Sequence, residues 1–166
     1  VTAYALESMQ AEFYEAGADF IIMGEPEHRS LLVLDVLKTG APRSKLLEHD
    51  GIGYIDGGQI HYSLPKTNIS DLDTLPLPAW DLFPVENYWR LKYSHGPLSA
   101  SKYLPLLTSR GCPYPCRFCV IPKTNNLKWR SRSAHHVVDE MQHWNEVWGI
   151  EEFHIEDVDP TVNEKR

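Results

Sequence analysis

The first third of the chain alternates between helical and strand-like hydrophobic patterns. Residues 6–16 predict a first helix, because apolar side chains recur on one face and Gly17 follows as a stop. The apolar positions on that face are Leu6, Met9, Phe13 and Ala16. The continuous apolar run at residues 20–23 predicts a buried parallel strand, since it does not alternate as an edge strand would. A second helix is predicted over residues 27–37 and is ended by Gly40.

This helix–strand–helix order is α/β in character. The apolar positions of the second helix are Leu31, Val33, Leu34 and Leu37. Residues 52–62 then predict a β-hairpin, because Asp56, Gly57 and Gly58 tolerate the positive φ that a tight turn requires. We interpret this hairpin as a structural ribbon.

Proline dominates the middle of the chain, where nine of the 12 prolines lie between Pro65 and Pro122. Residues 73–84 have neither a helical nor a strand period. Because proline fixes φ and removes a backbone donor, an extended linker is predicted over residues 64–102. Its aromatic content predicts that it lies on the following domain and buries Trp80 and Phe83 there.

The last third predicts a strand, a cysteine-rich loop, a helix and a second strand. The first strand covers residues 103–109, the helix runs from the N-cap Ser133 to Trp148, and the second strand covers residues 152–157. The buried stripe of the helix is Val137, Met141, Trp144 and Trp148, and Phe153 and Ile155 share one face of the second strand. This order predicts two parallel strands with a right-handed crossover.

The chain has 166 residues, which allows one domain or two small ones. Against 16 basic residues there are 23 acidic ones, and the formal net charge is -7. This ordinary composition excludes collagen-like and wholly disordered chains, and the acidic balance argues against nucleic-acid binding through a basic surface. No apolar run approaches the ~20 residues of a membrane span and no signal peptide opens the sequence, so we predict a cytoplasmic protein without a membrane span.

The three cysteines of the chain, Cys112, Cys116 and Cys119, all lie within eight residues. An odd, clustered set is a poor disulfide framework, and in a reducing compartment such thiols more often bind metal. Zinc would need a fourth ligand such as His95 or His135, and neither lies at the usual short spacing. The spacing favours a four-iron cluster held by three thiolates with one iron open, and zinc or a structural thiol cluster remains the alternative.

The cysteine spacing, with Phe118 just before the last cysteine and a strand leading into the loop, resembles the signature of radical S-adenosylmethionine (radical SAM) enzymes. Residues 75–81 are similar to the connector that follows a cobalamin-binding domain in such proteins, and residues 24–27 resemble the end of that domain. The resemblance implies an α/β fold in three parts. Residues 1–63 would be the C-terminal part of a Rossmann-like cobalamin-binding domain with a β-hairpin, 64–102 the Pro-rich linker, and 103–166 the first βαβ unit of a partial (β/α) barrel.

The resemblance also implies roles for individual residues. Cys112, Cys116 and Cys119 would ligate three irons of a 4Fe-4S cluster, and the open iron would chelate S-adenosyl-L-methionine (SAM). Reduction of SAM would give methionine and a 5′-deoxyadenosyl radical, for methyl transfer or a radical rearrangement. Phe118 would rest against the adenine of SAM, with ordinary core packing as the alternative. Asp157, at the end of the second strand, would contact SAM or substrate, with a capping or solvated role as the alternative.

The partners implied are a small-molecule substrate and an electron donor such as flavodoxin or ferredoxin, with cobalamin as a further cofactor; no residue is singled out as catalytic. A full barrel takes roughly 250 residues, so residues 103–166 would be a truncated barrel. We therefore expect the chain to be a fragment that does not turn over SAM alone. A non-catalytic iron–sulfur or zinc module is the alternative function.

Overall fold

The computed structural model describes residues 10–92 and 96–165, which cluster into two compact units, Val1–Ile69 and Ser70–Arg166. The described helices are α1 (Gln10–Glu15), α2 (Pro26–Thr39), α3 (Val85–Leu91), α4 (Ile121–Asn125) and α5 (Ala134–Trp148). The described strands are β1 (Phe20–Ile22), β2 (Ile52–Asp56), β3 (Gln59–Tyr62), β4 (Tyr103–Leu106), β5 (Ser109–Arg110), β6 (Arg130–Ser131) and β7 (Glu152–Ile155). The domain bounds expected from the sequence stay a prediction.

The sheet of the first unit has the strand order β1-β2-β3, and both pairings are antiparallel. The prediction that β1 is parallel is therefore wrong for its pairing with β2, although the strand is buried as expected. Ile21 packs with Tyr14 of α1, whereas Ile22 packs with Val33 of α2. The apolar run is continuous because both faces of the strand are covered. Such a run indicates that a strand is buried, but it does not indicate whether the strand pairs in parallel or antiparallel.

The predicted hairpin is confirmed as β2 and β3. Asp56 pairs with Gln59, and Gly57 and Gly58 between them have φ values of 55° and 78°. Positive φ at both central residues is the condition for the type I′ turn that suits the twist of a two-residue hairpin.

The two helices of this unit begin or end as the sequence predicts, but their buried faces differ from the expectation. Leu6 and Met9 lie outside the described residues, and α1 buries Gln10 and Tyr14 while Ala16 is exposed. Helix α2 ends at Gly40, whose φ is 67°. Its buried residues are Arg29, Val33 and Val36, whereas its exposed apolar residues are Leu31, Leu34 and Leu37.

Arg29 is a buried hub that fastens α2 to the loops around the sheet. Its guanidinium donates to the carbonyls of Glu25, Asp50 and Thr67 at 2.8–2.9 Å. It also forms an ion pair of 3.0 Å with the carboxylate of Asp50. Burial raises the pKa of Asp50, but hydrogen bonds from the backbone of Lys66 and Thr67, the Thr67 hydroxyl and the charge of Arg29 outweigh it and lower the pKa to about 2.

The second unit contains the predicted strand–loop–helix–strand order, and β4 and β7 are parallel as expected. Helix α5 begins after Ser133, whose side chain accepts the His136 N–H, and ends at Gly149 with φ 65°. Both ends are as predicted. The core between the strands and α5 consists of Val85, Leu104, Trp144 and Ile150, with Phe153 partly buried beside it.

The predicted extended linker is more structured than expected, because it contains α3 and two short 3-10 turns. Trp80 packs against the core of the second unit, but Phe83 is 54% exposed, so its predicted burial is wrong. The rings of the two residues meet edge to face with centroids 5.8 Å apart. Phe83 therefore lies on the outer side of Trp80, which already covers the core.

Glu152 fastens the chain that enters β4. Its carboxylate accepts the N–H groups of Ser99 and Ala100 and the Ser99 hydroxyl, and its other oxygen lies 2.6 Å from Nε2 of His154. The hydrogen bond with His154, followed by those from Ser99 and Ala100, lowers the pKa of Glu152 to about 2.

Among the helices that the structure describes, none combines the length and apolar character that a bilayer crossing requires.

We predict that Asp50→Asn removes an acid-sensitive part of the stability of the first unit. A carboxyl whose folded pKa lies below its usual 3.8 stabilises the fold above that value, and the contribution disappears as the pH falls towards 2. The difference amounts to about 2 kcal/mol at neutral pH. Urea unfolding at pH 7, 4, 3 and 2 measures it: the advantage of the wild type over the variant should be nearly unchanged at pH 4, fall to about half at pH 3 and be mostly lost at pH 2.

Asp35→Asn on the exposed side of α2 is the control, because its side chain carries no such network. The contribution of Glu152 cancels in the comparison, since all three proteins retain it. A constant stability difference between wild type and Asp50→Asn from pH 7 to pH 2 would contradict the prediction.

Candidate functional site

The cysteine loop is closed at its base by a two-residue antiparallel ladder that sequence reasoning missed. The predicted strand at residues 103–109 is divided into β4 and β5, and β5 pairs with β6 on the far side of the loop. Ser109 faces Ser131, and Arg110 faces Arg130. We call these two strands, with the flanking residues Thr108 and Trp129, the neck of the loop.

Gly111, the first residue inside the neck, has a conformation and a setting that only glycine accepts. Its φ is 85°, and a Cβ at this position would lie 2.0 Å from the carbonyl oxygen of Lys128. Glycine is therefore required at position 111 for the chain to follow this path. The two sides of the loop come into backbone contact at this point.

The three thiols lie beyond the neck and are free of disulfide bonds. Cys112 and Cys119 are half-buried and Cys116 is exposed. The N–H of Cys119 donates to the carbonyl of Cys116 at 3.2 Å, so the last two cysteines flank a turn. Phe118 on this turn is 94% exposed, which excludes a role in the core of the described chain.

Within the described part of the chain, no three side chains of His, Cys, Asp or Glu are already gathered in a metal-binding arrangement. His135, one candidate zinc ligand, is exposed at the start of α5, and His95 lies outside the described residues. The donor set nevertheless fits an iron–sulfur cluster, since the loop offers three unpaired thiols and cluster irons are held by thiolates.

Asp157 follows β7 directly and its carboxylate faces the neck. The Thr108 N–H donates to Oδ1 at 2.6 Å, and the hydroxyls of Thr108 and Ser109 donate to Oδ2 at 2.5 and 2.6 Å. Contact of Asp157 with a cofactor stays a prediction, because in this structure both carboxylate oxygens accept hydrogen bonds from the protein.

Arg132 and Glu140 form a second polar group that the sequence analysis did not single out. Glu140 is 1% exposed and its carboxylate lies 2.5 Å from a guanidinium nitrogen of Arg132. Arg132 also donates to the carbonyl of Leu107 and to Nδ1 of His136. The available signal was the four-residue spacing of His136 and Glu140, which places both on one face of α5, while Arg132 lies just before the N-cap of that helix.

Asp73 brings the linker to the start of α5. Its carboxylate accepts the Ser133 N–H at 2.9 Å and lies 3.1 Å from Nδ1 of His136. Hydrogen bonding from Ser133, aided by the proximity of His136, lowers the pKa of Asp73. The residues between the neck and α5 are thus held from several sides.

Fold and site together define an α/β protein with a three-cysteine loop after the first strand of a parallel pair. The chain is 30% identical over 148 residues to an uncharacterized methyltransferase of Pyrococcus horikoshii, covering 89% of this chain and 30% of the relative. It is 36% identical over 104 residues to the cytidylyl-2-hydroxyethylphosphonate methyltransferase of Streptomyces wedmorensis, covering 61% and 20%. It is 29% identical over 149 residues to the anaerobic magnesium-protoporphyrin IX monomethyl ester cyclase of a Synechocystis strain, covering 90% and 28%.

Among solved structures, the chain is similar to the radical S-adenosylmethionine methyltransferase TsrM of Kitasatospora setae with bound cobalamin and [4Fe-4S] cluster. The TM-score is 0.57 at 19% identity, and the match covers 90% of this chain and 28% of TsrM. The form of TsrM with tryptophan substrate and a SAM analogue gives a TM-score of 0.56 at 20% identity, with coverage of 89% and 27%. No profile of a known protein family matches the chain.

These comparisons confirm the resemblance found in the cysteine motif. The chain is similar in sequence to methyltransferases and magnesium-protoporphyrin cyclases, and similar in fold to a radical SAM methyltransferase that was solved with cobalamin and a [4Fe-4S] cluster. It spans between a fifth and a third of the length of the curated relatives described above.

We predict that Gly111→Ala opens the neck. The added Cβ would meet the Lys128 carbonyl oxygen at 2.0 Å, and alanine is also strained at a φ of 85°. We expect a loss of more than about 2 kcal/mol in the free energy of unfolding, measured by urea denaturation.

Gly149→Ala is the matched control, because this glycine has a φ of 65° but nothing within 4 Å of its added Cβ. It should lose only the conformational part, about 1 kcal/mol. Equal losses in the two variants would show that the contact with Lys128 does not constrain the loop.

Proposed function

We propose that this chain is the part of a radical SAM enzyme that binds a 4Fe-4S cluster and takes part in the reductive cleavage of SAM. The observation that carries the proposal is a loop with three free cysteines, closed by the β5–β6 ladder directly after a strand of a parallel pair. Loops at the carboxyl ends of parallel strands are where α/β enzymes build their sites. The fold similarity to TsrM, a radical SAM methyltransferase, supports the same class of reaction.

Cys112, Cys116 and Cys119 would hold the cluster, each as a thiolate. With SAM, the cluster would supply one-electron cleavage of the sulfonium to methionine and a 5′-deoxyadenosyl radical. The contribution of the chain is to bring three thiols together and to keep the loop fastened at the neck. Phe118 would offer its exposed ring as a stacking surface for the adenine of SAM.

The whole protein would use the radical for methyl transfer or for a rearrangement such as ring closure. The methyltransferases and cyclases among the relatives support this range, and TsrM supports a small-molecule substrate because it was solved with tryptophan. A reducing partner such as flavodoxin or ferredoxin would deliver the electron. The proposed arrangement is the one expected from the sequence, namely a cobalamin-domain segment, a linker and the first βαβ unit of a barrel.

TsrM was solved with cobalamin, but the proposal assigns no cobalamin site to this chain. In the first unit, the cavity beside Glu25, Arg29 and Asp50 has a volume of about 160 Å³, which is too small for a corrin ring. Glu25 is also engaged, because its carboxylate accepts the Ile69 N–H at 2.6 Å. The cavity does not fit cobalamin, and no step of the proposed function passes through it.

We predict that anaerobic reconstitution with iron and sulfide loads this chain with about four irons and gives an absorbance shoulder near ~400 nm. Replacing each of the three cysteines by serine should abolish most of the iron, because a cluster with two thiolates is poorly held. The measurements are iron and sulfide content and the optical spectrum. Binding of one zinc with no retained iron would instead support the non-catalytic zinc module.

We predict that Phe118→Ala leaves the free energy of unfolding unchanged within about 0.5 kcal/mol, because the side chain is 94% exposed. In the reconstituted protein the same change should weaken SAM binding about fivefold, since stacking on an aromatic ring is lost. Urea denaturation and equilibrium dialysis measure the two effects. Tyr114→Ala, at another exposed aromatic of the loop, is the control. Unaltered SAM affinity in Phe118→Ala would exclude the stacking role.

A further inference from the structure

We propose that Asp157 is a positioning residue that holds the neck of the cysteine loop in the geometry needed for three thiols to bind one cluster. The fastening of the neck follows from the hydrogen bonds of the described chain. Only the consequence for the cluster rests on the proposed function. The proposal differs from a contact between Asp157 and SAM, which the resemblance to the family implies.

Both carboxylate oxygens of Asp157 accept hydrogen bonds from the neck. Two hydroxyls and one backbone N–H donate to it over 2.5–2.6 Å, and the donors belong to Thr108 and Ser109. These two residues are 5% and 2% exposed, so their polar groups have little access to water. Hydrogen bonds to an ionised carboxylate are shorter and stronger than those between neutral groups, which matches these distances.

The residues after β7 contact both sides of the neck. Asp157 holds the entering side through Thr108 and Ser109, whereas the carbonyl of Asp159 accepts the indole N–H of Trp129, on the returning side, at 2.9 Å. The two sides are also joined directly, because the Arg132 N–H donates to the Thr108 carbonyl at 3.0 Å. The position of the loop is therefore tied to the end of β7.

Between the neck and α4, whose Ile121 is buried, the segment that carries the cysteines has little other support. Cys116 is exposed, and Phe118 is almost fully exposed. The geometry of the cysteines relative to the strands is therefore set mainly where the loop enters and leaves the protein. A loosened neck would spread the thiols over more conformations, and cluster binding would have to restrict them again.

The first experiment uses the metal-free chain and compares Asp157→Asn with wild type by amide hydrogen exchange. The asparagine NH₂ group cannot accept, so its presence removes the acceptor either of both hydroxyls, which share Oδ2, or of the Thr108 N–H, which uses Oδ1. We expect protection of the peptides that cover residues 106–111 and 129–132 to fall about tenfold. Asp159→Asn is the matched control, because its carboxylate accepts from the N–H and hydroxyl of Thr161, outside the neck, and its backbone carbonyl still accepts from Trp129.

The second experiment follows the loss of iron to a chelator from the reconstituted chain. Asp157→Asn should release iron about five to ten times faster than wild type, and Asp159→Asn should not. Ser109→Ala should have a smaller effect, and the double variant Asp157→Asn/Ser109→Ala should be no worse than Asp157→Asn alone. Such non-additivity is expected if the two residues act through one contact.

The outcomes separate this proposal from the proposed function. If wild type binds no iron, the proposed function fails, and the exchange experiment still decides whether Asp157 holds the neck. The proposal is overturned if exchange at the neck is unaltered in Asp157→Asn. It is also overturned if Asp157→Asn and Ser109→Ala have additive effects on iron release, or if Asp157→Asn alters only the affinity for SAM, which would indicate direct contact with the cofactor.

Discussion

Closure of the cysteine loop at its neck is the constraint on which the candidate site depends. A two-residue ladder is too short to be stable alone, so β5 and β6 need support from outside. That support comes from the parallel pairing of β4 with β7 and its continuation, in which the Glu156 N–H donates to the Leu106 carbonyl at 3.0 Å. The chain after β7 then reaches the neck through its polar groups. The packing of α5 holds β4 and β7 in place, and these strands in turn hold the neck of the loop through the residues that follow β7.

Both units use an arginine with a largely covered side chain, 7% exposed for Arg29 and 11% for Arg132, to hold a helix against its surroundings. Arg29 joins the start of α2 to three loop carbonyls and to Asp50, and Arg132 joins the start of α5 to the carbonyl of Leu107 and to Glu140. A buried ion pair contributes little net stability against well-packed apolar residues, but loss of one partner is strongly destabilising. These pairs therefore serve mainly to define where each helix begins relative to the strands. The side chain of Arg29 is closely surrounded, since a Cβ added at Gly51 would lie only 2.5 Å from its Nε.

Local signals in the sequence predicted local features correctly. The hairpin turn at Gly57 and Gly58 and the cap residues Ser133 and Gly149 each act within a few neighbouring residues, so they are legible from one sequence. The direction of β1, the β5–β6 ladder and the Arg29 network were missed because each joins residues far apart in the chain. The exposed leucines of α2 show the same limit: an apolar side chain indicates a capacity for burial, and the neighbours of the helix decide which face is used.

The candidate site could be predicted from the sequence for a different reason, namely that its three thiols are rare in the chain and closely spaced. Three cysteines in one loop restrict the chemistry before any fold is known, whereas an aromatic such as Phe118 is ambiguous between core and site. The structure excludes a core position within the described chain, because the phenyl ring is 94% exposed there, and the contact of Phe118 with SAM stays a prediction. Asp157 shows the reverse case. The sequence placed a carboxylate at the end of a strand beside the loop, but only the fold reveals that Thr108 and Ser109 already occupy both of its oxygens. A residue can therefore lie at a site and act on it through the backbone that carries the ligands.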